Sequence, residues 1–123
     1  MEPVKAFTID RATWLHGEGS EDSYLIRSRD SKKCCLGFYL ENCGLPEEYL
    51  TDKMTPSYCN VEMNARTPDW LLDENKLGVS WACQVLMNTN DDTTNSRSEK
   101  EASIIAGFKA VGIEVSFTGS YGK

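Results

Sequence analysis

Near the end of the chain, Ile113-Glu114-Val115-Ser116-Phe117 alternates apolar and polar residues without interruption. A period of two is the signature of a half-buried strand, with Ile113, Val115 and Phe117 facing inward and Glu114 and Ser116 facing out. At the other end, Val4 to Ile9 alternates in the same way and sets Phe7 and Ile9 on one face. A strand with a single apolar face needs a covering layer, and the segments between the two ends are mostly helical in pattern. The chain is therefore expected to be α+β, with the N- and C-terminal strands in one small antiparallel sheet packed by three to four helices. Ser23 to Ser28 is a further strand candidate.

The helices are read from period and punctuation. Asp10 is a suitable N-cap for a short helical stretch from Arg11 to Leu15, ended by Gly17 and Gly19. Ser31 can cap a helix from Lys32 to Asn42, which Cys43-Gly44 closes and on which Cys35, Leu36, Tyr39, Leu40 and Cys43 follow the helical period. Pro46 starts a single turn through Leu50. Thr51 to Asp69, with Pro56 and Pro68 and no clear period, reads as a long loop of the kind that often carries function. A helix is expected between about Lys76 and Met87, with Leu77, Trp81, Val85 and Leu86 near one stripe, before the turn-forming run Asn88 to Asn95 breaks it. Ser98 with Glu101 at N3 forms a capping box for a last helix reaching about Val111, with Ile104, Ile105 and Phe108 facing inward. The tail from Thr118 to Lys123 is expected to fray.

With 123 residues, 40% of them hydrophobic, the chain has the size of one domain spanning 1–123. Thirteen Lys and Arg against nineteen Asp and Glu give a net charge of −6. That sign disfavours sequence-independent binding to duplex nucleic acid or to an anionic membrane. No run approaches a spanning helix, and Met1 to Lys5 lacks the pattern of a signal peptide, so a cytoplasmic location is expected. Five cysteines, Cys34, Cys35, Cys43, Cys59 and Cys83, are an odd number with no C-x-x-C pair. Neither a disulfide framework nor structural zinc fits that spacing, and no metal or other cofactor is expected. The one histidine, His16, precedes a Gly-Glu-Gly turn and would have to serve any Cys/His or Ser/His chemistry alone.

Two segments have the residue types of a ligand site. Arg27, Arg29, Lys32 and Lys33, broken only by Asp30, make a local excess of positive charge where a phosphate could sit, or simply a solubilising strand end. Asn90-Asp91-Asp92 lies between two helical patterns, with Trp81 upstream and Arg97 downstream. An amide reads donor and acceptor edges, an indole offers a stacking face and a guanidinium pairs with pyrophosphate, which are the contacts an adenine nucleotide requires. Each residue alone also has a plain reading, Trp81 as core and Asn90-Asp91 as a turn. The acidic run lacks the ligand spacing of an EF-hand loop. No nucleophile elbow, Walker loop or dinucleotide fingerprint is present, which favours a binding protein over an enzyme.

Phe7 to Trp14, Cys34 to Tyr39 and Leu86 to Asp92, the last followed by a charged helix into Gly112 to Phe117, together resemble small phage and prophage proteins. Within that group the chain is similar to the Thoeris anti-defence protein 1 family, sponges that sequester the cyclic ADP-ribose isomer made by the bacterial Thoeris TIR enzyme. The resemblance implies a homo-oligomer, dimer or hexamer, that holds the signal intact in pockets between subunits in the cytoplasm of the infected host. It also implies a second capacity, for cyclic oligonucleotides, at separate sites. Asn90 corresponds to the family's pocket asparagine and Trp81 to its aromatic. Arg27, Arg66 and Arg97, chosen by charge, and Asp91 beside Asn90 complete the expected site. A ligand of about 35 heavy atoms at about 0.3 kcal/mol per atom would bind with roughly −10 kcal/mol, in the range of tens of nanomolar. Two other classes are open at this point: an inhibitor that binds a host enzyme directly, and a hydrolase that destroys a nucleotide signal.

Overall fold

The structure is a computed structural model and describes residues 4–15, 24–53, 68–72, 79–92 and 96–120. Strands β1 (Ala6–Asp10) and β2 (Glu114–Thr118) pair across the whole length of the chain, with Phe7 opposite Val115 and Ile9 opposite Phe117. Phe7, Ile9 and Val115 are buried as their alternation predicts, and Phe117 is half-buried against Trp14 at a ring separation of 5.0 Å. The fold is α+β, but the sheet is parallel where an antiparallel one was expected. Alternation reports which face is buried and is blind to strand direction. Direction is set by the connection: the last helix runs back over the sheet, Gly112 reverses the chain at φ 84°, and the Ile113 N–H donates to the Phe108 carbonyl at 3.0 Å. The chain then enters β2 beside the start of β1, where the Glu114 N–H donates to the Lys5 carbonyl at 2.8 Å.

Four α-helices lie among the described residues. Helix α1 (Cys35–Asn42) is the central one, and Cys34 to Leu40 are all buried, which explains why its pattern is apolar on several sides. Its end is a Schellman turn: Gly44 takes φ 97°, the Leu45 N–H reaches the Leu40 carbonyl at 3.2 Å, and the Gly44 N–H reaches the Glu41 carbonyl at 3.0 Å. Helix α2 (Glu47–Leu50) is the single turn expected after Pro46. A 3-10 turn, Asp69–Leu71, precedes α3 (Trp81–Asp91) and α4 (Arg97–Lys109). Phe7, Tyr39, Trp70 and Phe108 form an aromatic cluster with ring centroids 5.0 to 5.8 Å apart, joining β1, α1, the 3-10 turn and α4.

Several boundaries differ from the sequence-based expectation, each for a local reason. Residues 11–13 form a turn, because the Asp10 carboxylate accepts from the Ala12 N–H at 3.0 Å and the chain then bridges to Lys33 through Trp14. The segment around Ser23 to Ser28 makes an isolated parallel bridge from Ile26 to Thr51 rather than a strand, and Ser23 itself lies outside the described residues. The capping box of α4 uses Ser96 and Glu99 instead of Ser98 and Glu101: the Ser96 hydroxyl accepts from the Glu99 N–H at 3.2 Å, and the Glu99 carboxylate accepts from the Ser96 N–H at 3.0 Å. Glu101 is committed elsewhere, taking two bonds of 2.8 Å from Arg11. On α4, Ile104 and Phe108 face inward as expected, whereas Ile105 is exposed. Most of the expected 51–69 loop, with Pro56 and Cys59, lies outside the described residues, as do His16 and residues 121–123 of the tail.

Candidate functional site

Helix α3 decides how the expected site is arranged. Ser80 starts it, accepting from the Cys83 N–H at 3.1 Å while its hydroxyl donates to the Trp70 carbonyl at 2.6 Å. The helix does not stop at Asn88 as the turn-forming residues suggest; it continues to Asp91. Its buried stripe is Cys83, Leu86 and Asn90, and its solvent stripe is Trp81, Val85 and Asn88. The expected stripe of Trp81, Val85 and Leu86 is thus split between opposite sides. Nine residues at about 1.5 Å and about 100° each place Asn90 roughly 14 Å along the axis from Trp81 and half a rotation away.

Trp81 is 82% exposed, which settles against its reading as a core residue. Asn90 is 1% exposed and lies inside the last turn, not beyond the helix. Its carbonyl oxygen accepts from the Trp14 indole N–H at 2.8 Å and from the Cys35 backbone N–H at 3.1 Å. Its amide donates to the Leu15 carbonyl at 2.9 Å and to the Asp91 carboxylate at 3.0 Å. Two lone pairs and two N–H groups are an amide's whole capacity, so Asn90 acts here as a polar joint of the core. The plain reading of Asn90-Asp91 as a turn is corrected accordingly, since both residues lie within α3. The sequence signal for this role was Trp14, which pairs with it across the fold but reads in isolation only as an apolar residue.

Asp91 is half-buried and held by Asn90, and Arg97 opens α4 on the exposed side just after the linker from α3. Asn90 and Asp91 thus lie at the C-terminal end of α3 and Trp81 at its N-terminal end, while Arg97 is the first residue of α4. Arg66 lies outside the described residues. Arg27 belongs to the turn before Lys33, where it donates two bonds to Asp30 at 3.1 and 2.6 Å. In the same segment the Lys33 ammonium pairs with Glu41 at 2.7 Å and lies 5.3 Å from the Phe38 ring. Two of the four cations are thus paired within the fold, Arg27 with Asp30 and Lys33 with Glu41.

The Arg27 hydrogen bond holds the Asp30 carboxyl down at about 2. A lowered folded-state pKa stabilises above the unfolded value and is lost as pH falls through the folded one, so this pair should hold above about pH 4 and fail towards pH 2. The pair is largely solvent-screened, and Asp30→Asn is expected to cost less than about 1 kcal/mol at pH 7, measured by urea denaturation.

Four cysteines, Cys34, Cys35, Cys43 and Cys83, are buried free thiols. Burial pushes the Cys34 and Cys83 thiols up to about 12 and raises Cys35 as well, leaving little thiolate to act as a nucleophile. Iodoacetamide at pH 8 is expected to leave these three unmodified in the folded protein and to label them in urea. Rapid labelling of Cys34, Cys35 or Cys83 under native conditions, located by peptide mass spectrometry, would contradict their burial. Among the described residues no three His, Cys, Asp or Glu side chains are grouped to hold a metal ion, and no helix is long and apolar enough to cross a membrane. The chain matches no family model, no curated protein and no solved structure.

Proposed function

We propose that the chain is a sponge that binds a cyclic ADP-ribose type of signal and holds it unchanged, acting against Thoeris defence in the cytoplasm of an infected bacterium. The observation that carries this reading is Trp81: an indole 82% exposed on a helix stripe that bears no charged residue. Aromatic side chains bury about 150 to 250 Å² when covered, and a base stacked on one contributes about 1 to 3 kcal/mol. Purine stacking on Trp81 uses that surface. The phosphates call for cations, and Arg97, the exposed first residue of α4, is the one we assign to them.

The separation of the two ends of α3 bears on assembly. A ligand of this size cannot bridge roughly 14 Å of helix and half a rotation within one copy. A homo-oligomer in which Trp81 of one copy meets Asp91 and Arg97 of another removes the difficulty, and cyclic oligonucleotides are the second ligand class we propose. Asn90 supports such a pocket from inside, by fixing Asp91.

The test is calorimetric titration of wild type and Trp81→Ala with a panel of cyclic ADP-ribose isomers and cyclic oligonucleotides, followed by denaturation and chromatography of the released ligand. Wild type is expected to bind one isomer and return it intact. Trp81→Ala is expected to lose roughly 10- to 100-fold in affinity while its stability changes by less than about 0.5 kcal/mol. A processed ligand would convert the reading to a hydrolase. The Trp81 and Val85 pair also favours direct inhibition of a host enzyme, since a projecting tryptophan is a common interface anchor. Inhibition in the absence of any nucleotide, lost in Trp81→Ala, would establish that reading instead.

A further inference from the structure

We draw no further inference here: the strongest candidate, the uncharged exposed face of α3 formed by Trp81 and Val85, belongs to the site already described, and nothing else in the structure shows what covers it.

Discussion

Gly37→Ala is expected to destabilise the protein by about 3 kcal/mol or more, a large share of the 5 to 15 kcal/mol that holds a typical domain. A Cβ at this position of α1 would overlap the Leu25 carbonyl oxygen and lie 2.7 Å from its carbon. Both contacts are to backbone, which cannot rotate away as a side chain can. Retreat is also blocked, because the Leu25 N–H donates to the Lys53 carbonyl at 2.7 Å, the Ile26 N–H to Leu50 at 3.2 Å, and the Tyr24 carbonyl accepts from Cys34 at 3.2 Å. Alanine's better helix propensity returns only about 1 kcal/mol. The comparison is Gly107→Ala in α4, whose Cβ would meet Leu86 Cδ2 at 2.8 Å, the end of a flexible side chain. That variant should change stability by no more than about 1 kcal/mol, since propensity and a small shift of Leu86 oppose each other. Urea denaturation of the two variants checks both. A Gly37→Ala midpoint close to wild type would mean that the Leu25 segment does not cross α1 as described.

What could be read from the sequence follows from the range over which each signal acts. Phe7, Ile9 and Val115 showed their faces because alternation is local, whereas the direction of β1 against β2 depends on a connection of about a hundred residues. Gly44 marked the end of α1 because a left-handed cap is a property of that residue alone. The start of α4 was ambiguous by construction. Ser96 with Glu99 and Ser98 with Glu101 have the same spacing, and only the pairing of Glu101 with Arg11, ninety positions away, separates them. In the candidate site the residue types were legible and their placement was not. Trp81 and Asn90 differ in exposure by nearly the full range, though a stripe count alone would put a tryptophan inside and an asparagine outside. Propensity ended α3 near Asn88, but the helix continues because the protein interior satisfies the Asn90 amide.

That satisfaction makes Asn90 the second sensitive position. Cys34 is the N-cap of α1 yet its side chain caps nothing, so the free amide of Cys35 is served instead by Asn90 from α3. Asn90→Ala would remove the acceptor of that N–H and of the Trp14 indole N–H together with the donor to the Leu15 carbonyl, and Trp14 is only 2% exposed. Each buried hydrogen bond lost costs about 1 to 3 kcal/mol, and because the site can relax or admit water the total expected is about 3 to 4 kcal/mol rather than the sum. Asn90→Asp refines the point. A carboxylate still accepts from Trp14 and Cys35, but it faces the Leu15 carbonyl and the Asp91 carboxylate with no hydrogen to offer. Its proton restores a donor, so the folded protein should raise the pKa of that new carboxyl above its unfolded value. The stability it contributes is then present at low pH and lost as pH rises through the folded pKa, so Asn90→Asp should lie nearer wild type at pH 4 than at pH 7. Denaturation of wild type and both variants at the two pH values measures this. Wild-type stability in Asn90→Ala would take Asn90 out of the core and return it to the ligand-facing role that its residue type first suggested.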